Sequence, residues 1–192
     1  MPKVGVLALQ GDVREHAIML TQAGADVSLV KRAEHLEDLD GLVIPGGEST
    51  TIAYLLTTSG VREPLESKIS NGLNVLGTCA GLIMLSSGIE DGRSDQWSYG
   101  AIDVVVRRNG YGRQIASFET EIDVKGIGEV PGVFIRAPRV VSIGSEVEIL
   151  ATYDHGDGVH PVLMRQNNAW GCSFHPELTS DSRVHELFVK SL

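Results

Sequence analysis

The five residues Gly77-Thr78-Cys79-Ala80-Gly81 constrain this chain more than any other stretch. The run Asn74 to Leu76 before them reads as a short strand, and Leu82-Ile83 after them opens an apolar helical pattern. Glycines two residues before and two after Cys79 permit a sharp strand-to-helix bend, because a Cβ at either flank would collide with a neighbouring strand or helix. Such a bend thrusts the Cys79 side chain outward at a helix N-terminus, where unpaired N–H groups and the positive end of the helix dipole favour thiolate over thiol. A lone Gly-x-Cys-x-Gly is equally compatible with a packed cysteine, so the rest of the chain must decide.

Upstream, Lys3 to Leu9 is a near-continuous apolar run, as expected of a strand covered on both faces of a parallel sheet. It ends at Gln10-Gly11. Asp12 and Glu15 have capping-box spacing, and Val13, Ala17, Leu20 and Ala23 follow with helical period until Gly24. Further strands are expected at 27–30 and 41–44, the latter ending in Pro45-Gly46-Gly47-Glu48-Ser49-Thr50, with helices over 52–56 and 61–71. This alternation predicts an α/β fold, an open, mostly parallel sheet flanked by helices, whose ligands lie at the carboxyl ends of the strands. Gln10, the Pro45–Thr50 loop and Cys79 all fall at such ends. After about residue 92 the pattern changes to β-branched, alternating segments over 101–107, 114–124, 132–135, 147–153 and 161–165, expected as an antiparallel extension of the sheet. The loop from His155 to His160 is read as a hairpin turn, since Asp-Gly is a turn signal and no fourth metal ligand is evident. A final helix is expected after a Ser180 or Asp181 cap.

Length and charge exclude several classes. A chain of 192 residues, 42% of them hydrophobic, supports one domain over 1–192 with one substantial core. Its 16 basic against 25 acidic residues give −9 with no Lys/Arg cluster, which argues against nucleic acid. No apolar run reaches membrane-spanning length, and the start lacks the pattern of a signal peptide. Two cysteines make no disulfide framework, so a cytoplasmic setting is expected.

The segment Trp170 to Glu177 supplies what Cys79 lacks. In an extended segment His175 and Glu177 point to the same side, with Pro176 stiffening the geometry, while Cys172 points away as a core cysteine. A carboxylate two residues beyond an imidazole can orient it, which completes a nucleophile, base and acid set. Acyl transfer also needs oxyanion donors, and the N–H of Gly46 or Gly47 with that of Ala80 can supply them. The chain order Cys, His, Glu disfavours the α/β-hydrolases, in which the acid precedes the histidine.

Together, Gly77 to Gly81, Pro45-Gly46-Gly47-Glu48-Ser49 and His175-Pro176-Glu177 resemble class I, triad-type glutamine amidotransferases. Within that class the chain is similar, nearly end to end, to the glutaminase subunits of pyridoxal phosphate synthases. The finer matches are Leu9-Gln10-Gly11 with Glu15-His16, Pro45 to Thr51, Arg108-Asn109 with Gly112-Arg113-Gln114, Phe134-Ile135-Arg136-Ala137-Pro138, and Gly171 to Leu178. Ser94 to Tyr99 departs from the pattern. The resemblance implies a flavodoxin-like three-layer sandwich, L-glutamine as substrate, and Cys79, His175 and Glu177 as nucleophile, base and orienting acid. It implies an oxyanion hole of Gly47 and Ala80, and substrate contacts from Gly46, Gly47, Glu48, Ser49, Arg108, Ile135 and Arg136. Arg108 and Arg136 suit the substrate carboxylate, and Gln10 lines the pocket or a subunit contact. No cofactor and no metal are implied for this chain. Ammonia is implied to pass to a (β/α)8-barrel synthase subunit, which joins it to a pentose phosphate and a triose phosphate, and the glutaminase is implied to need docking for full activity. The rival readings are the glutaminase of another synthase, such as imidazole glycerol phosphate synthase, and a catalytically silent partner-binding module.

Overall fold

The computed structural model describes residues 1–108, 110, 117–156 and 158–192. The matches at Asn109 and Gly112 to Gln114, the start of the strand expected from 114, and Asp157 lie outside the described residues.

Strands β1 (Lys3–Leu7), β2 (Asp26–Val30), β3 (Gly41–Ile44) and β4 (Asn74–Thr78) alternate with helices α1 (Val13–Gln22), α2 (Ser49–Thr58), α3 (Arg62–Ser70) and α4 (Ala80–Leu85). Strands β5 (Ser86–Ile89), β6 (Ile102–Arg107), β7 (Ser117–Val124), β8 (Gly128–Ile135), β9 (Arg139–Ile143), β10 (Glu148–Asp154), β11 (Val159–Gln166) and β12 (Ala169–Cys172) follow, and α5 (Arg183–Val189) closes the chain. The main sheet has seven strands in the order β10-β11-β12-β4-β3-β1-β2. From β12 to β2 all neighbours are parallel, whereas β11 runs antiparallel to β12 and β10 antiparallel to β11.

The buried runs follow from this placement. Alternation sends Val4, Val6, Val43 and Leu76 to the face covered by α1, α5 and β7–β8, and Leu42, Ile44 and Val75 to the face covered by α2, α3 and α4. Both faces are apolar, so the strands are nearly all hydrophobic. The antiparallel extension proves shorter than expected. Only β10 and β11 join the main sheet, while β5-β6-β9 and β7-β8 form separate small sheets. Strands β5 and β9 escape the sequence pattern because each is short and pairs mainly with β6. Strand β8 begins earlier than expected and includes Pro131, which a two-stranded ribbon tolerates because it has free edges. The His155–His160 loop is a hairpin connection, with Asp154 paired to Val159 and Asp154 Oδ1 accepting from Gly156 N at 2.8 Å and Gly158 N at 3.2 Å. The last helix starts after Ser182, with Asp181 Oδ1 accepting from Arg183 N at 3.0 Å. Among the described residues no helix is long and apolar enough to cross a membrane.

Candidate active site

Cys79 occupies the bend between β4 and α4 at φ 49° and ψ −102°, a conformation that costs a non-glycine residue about 1–3 kcal/mol. Its neighbours hold it there. A Cβ on Gly81 would enter the Ile44 carbonyl, and one on Gly77 would enter the backbone of Gly81. The Cys79 N–H donates to Cys172 O at 2.8 Å, which ties the bend to the end of β12. Cys79 is 7% exposed, so only the sulfur's edge reaches solvent.

His175 follows β12 by three residues and donates its backbone N–H to Val133 O on β8 at 2.8 Å. The expected pairing with Glu177 is present, His175 Nδ1 lying 2.7 Å from Glu177 Oε1, but strand alternation is not its cause. Residues 176–178 form a 3-10 turn, and Pro176 at its start brings the carboxylate back beneath the ring. Burial opposes the charged form of His175, yet acceptors Asp12, Cys79 and Glu177 outweigh it, and its pKa is pushed up to about 12. Burial likewise opposes the Glu177 carboxylate, but His16 and His175 hold its pKa well below the usual range. Cys172 is fully buried, and burial pushes its thiol well up, as befits a core cysteine.

A cleft of about 420 Å³ opens over these groups. Cys79, Ala80 and His175 are among its lining residues. Gln10, Gly47, Glu48 and Ser49 line one side, and Arg108, Ile135 and Arg136 another. Two expected members stand back from it: Glu177 lies beneath His175, and Gly46 is packed so closely under the His175 ring that a Cβ would overlap it. Glu48 N donates to Gln10 Oε1 at 3.0 Å, which locks the Gly-Gly loop to the end of β1.

Glu48 caps α2, accepting from Thr50 N at 3.2 Å and Thr51 N at 2.8 Å, and it also contacts both threonine hydroxyls. Partial burial opposes ionisation, but these donors lower its pKa to about 2. Its Oε1 accepts from Arg108 Nη2 at 3.0 Å, and Arg108 Nη1 donates to Gln96 Oε1 at 2.9 Å. Gln96 in turn donates to Ser49 Oγ at 2.9 Å. Arg108 therefore sits in the cleft already paired. Arg136, at φ 43° just past β8, has no hydrogen bond or ion pair among the described residues.

Sequence reasoning missed Gln96, Asp12 and a buried imidazole pair. Gln96 lies in the segment that departs from the family pattern, so nothing in the pattern pointed to it. Asp12 forms no side-chain cap on α1, contrary to the capping-box spacing, because its Oδ2 instead lies 3.5 Å from His175 Nδ1. Asp12, His175 and Glu177 bring ligand-type atoms within 4.8 Å of one another, yet His175 Nδ1 is already engaged by Glu177, which leaves no free histidine donor for a cation there. His16 on α1 and His185 on α5 are both fully buried, with His16 Nδ1 2.9 Å from His185 Nε2. The Glu15-His16 match was visible, but no spacing rule connects position 16 with 185.

Burial first, and His16 second, push the His185 pKa from 6.5 down to about 3, with the Glu177 carboxylate opposing. An unfolded chain takes up this proton below pH 6.5 and the folded chain does not until about pH 3, so stability falls as pH drops through that window, by at most about 1.4 kcal/mol per pH unit. Denaturant titrations at pH 7, 6 and 5 are expected to show a steeper acid-side loss for wild type than for His185→Leu; parallel losses would contradict the shift.

A parallel α/β sheet with a cysteine bend at one strand end and a His–Glu pair past the adjoining one is the layout of class I glutamine amidotransferases. The chain belongs to the SNO glutamine amidotransferase family, whose model matches residues 6–192. It is 57% identical over 190 residues to a Streptomyces avermitilis protein named pyridoxal 5'-phosphate synthase subunit PdxT, covering 98% of this chain and 92% of that one. A Streptomyces coelicolor protein of the same name is 55% identical, with 98% and 92% covered. A crystal structure described as a glutamine amidotransferase superposes with a TM-score of 0.90 at 46% identity, covering 97% of each chain.

Proposed function

We propose that this chain is the glutaminase subunit of a pyridoxal phosphate synthase, acting as a single domain in the cytoplasm and passing ammonia to a (β/α)8-barrel partner. The partner joins that ammonia to a pentose phosphate and a triose phosphate. The observation that carries the chemistry is the 2.7 Å contact of His175 Nδ1 with Glu177 Oε1, set beside a cysteine held in a strained bend. The relatives' name carries the synthase.

In this reading Cys79 attacks the side-chain amide carbon of L-glutamine as a thiolate, with His175 already protonated beside it. The oxyanion forms against the N–H groups of Gly47 and Ala80. As the C–N bond breaks, His175 gives its proton to the leaving nitrogen and ammonia departs, leaving a thioester on Cys79. The neutral His175 then takes a proton from water, hydroxide attacks the thioester, and glutamate leaves as the thiolate–imidazolium pair is restored. Glu177 keeps the ring oriented throughout.

Arg136 is the guanidinium available to the substrate carboxylate, and Arg108 reaches it only by sharing with Glu48 and Gln96. Arg136→Ala is expected to raise the glutamine KM about ten- to hundredfold, the loss of a charged hydrogen bond, with ammonium-supported synthesis unchanged. An unaltered KM would remove Arg136 from the site. The reading as a whole is tested by capturing the native partner and measuring glutamate release by the complex. A pentose-phosphate-using barrel and partner-dependent glutamate release are expected; a partner from histidine biosynthesis, or no hydrolysis with saturating partner, would overturn it.

A further inference from the structure

Behind the Glu177 carboxylate, away from the cleft, two imidazoles stand in series. His16 Nε2 lies 2.9 Å from Thr78 Oγ1 and 3.4 Å from Glu177 Oε1, and His16 Nδ1 meets His185 Nε2 at 2.9 Å. All four side chains are buried, and they come from α1, β4, the 3-10 turn after β12, and α5. The far nitrogen of the series, His185 Nδ1, has no hydrogen-bond partner among the described residues, and neither has Glu177 Oε2.

These two orphans fix the protons. If both His16 nitrogens carried hydrogen, His185 would accept at Nε2 and bury an unpaired N–H at Nδ1. If His185 donates from Nε2 to His16 Nδ1, its Nδ1 is only a lone pair, and a buried acceptor is more often left unmatched than a buried donor. The second arrangement places a His16 hydrogen on Nε2, directed at Thr78 Oγ1 and Glu177 Oε1. Since Oε2 is unpartnered, the orientation of Glu177 depends on what reaches Oε1, namely His175 from the cleft side and His16 from behind.

We propose that His16 is a positioning residue of the triad, holding the Glu177 carboxylate through its Nε2–H while His185 fixes the His16 tautomer from behind. The proposal rests on the glutaminase reading above. In metal sites, groups that orient a ligand from behind are worth about ten- to hundredfold in affinity or activity, and an effect of that size is expected here. Two apolar side chains would fill the same space without burying polar atoms, so packing alone gives no reason for a histidine pair. The pair also links the nucleophile's own strand, through Thr78, to the acid that orients the base.

The test uses the reconstituted complex with its synthase partner, comparing His16→Leu with His16→Gln, whose amide nitrogen can stand where Nε2 stood. His16→Leu is expected to lower kcat for glutamine at least tenfold with KM within twofold, and to leave ammonium-supported synthesis unchanged. His16→Gln is expected to recover kcat to within about threefold of wild type, whatever its unfolding midpoint. Equal loss in both variants, no loss in either, or a loss confined to KM would overturn the role. Should His16→Leu not fold, His185→Leu carries the test: a threefold or larger fall in kcat at constant KM supports the series, and an unchanged kcat overturns it. A wild-type complex that releases no glutamate would instead sink the glutaminase reading.

Discussion

Cys79→Ala is expected to abolish glutamine-dependent synthesis in the complex, by on the order of 10⁴-fold or more, while synthesis from added ammonium salt persists. The split is expected to be sharp because, among the described residues, no other nucleophile is placed to substitute for the proposed one. Ser49 Oγ is engaged by Gln96, and Cys172 is fully buried with its thiol pushed up. The substitution keeps a Cβ at the same positive φ, so the bend and its hydrogen bond to Cys172 O survive and stability should change by no more than about 1 kcal/mol. Paired assays with glutamine and with ammonium chloride decide the matter. Loss of both activities with intact assembly would make Cys79 a structural residue.

Gly81→Ala should be among the most damaging single methyls at the described residues. Its Cβ would enter the Ile44 carbonyl at the end of β3, which is backbone and cannot rotate away, so α4 must lift from the sheet. A cost of about 3 kcal/mol or more is expected, since overpacking against fixed atoms exceeds the usual range for surface changes. Because α4 begins at Ala80, the same shift moves the proposed oxyanion donor and the proposed nucleophile together. Gly24→Ala is the control: it too has positive φ, 86°, but nothing lies within 4 Å, so only local strain of about 1 kcal/mol is expected. Urea unfolding midpoints and glutamate release for both variants check this. A Gly81→Ala protein as stable and active as Gly24→Ala would show that the bend adapts.

The parallel half of the fold was legible because β1, β3 and β4 are buried on both faces and read as near-continuous apolar runs. Residues 41–44 and 74–78 needed no tertiary information. The later half was read as strands of one antiparallel extension, which holds only for β10 and β11, since alternation tells which residues share a face and not which edge a strand joins. Strand β12 shows the limit: one neighbour is parallel and the other antiparallel, a choice that local pattern does not encode. At the site, the Cys79 bend was legible from glycine placement, whereas the His175–Glu177 contact was expected from alternation and arises from the 3-10 turn at 176–178. Asp12 was read as a cap and faces His175, because a carboxylate at a helix start serves whichever donor packs nearest. Gln96 lies in the segment that departs from the family pattern, and the link from His16 to His185 was invisible because the two stand 169 residues apart.

The position of β12 between β4 and β11 splits the site along the chain. The sulfur sits at the end of β4, while the strand beside it, the imidazole, the carboxylate and α5 all come from residues after 168. A chain cut before residue 169 therefore keeps the cysteine of the proposed triad and loses its histidine and glutamate together.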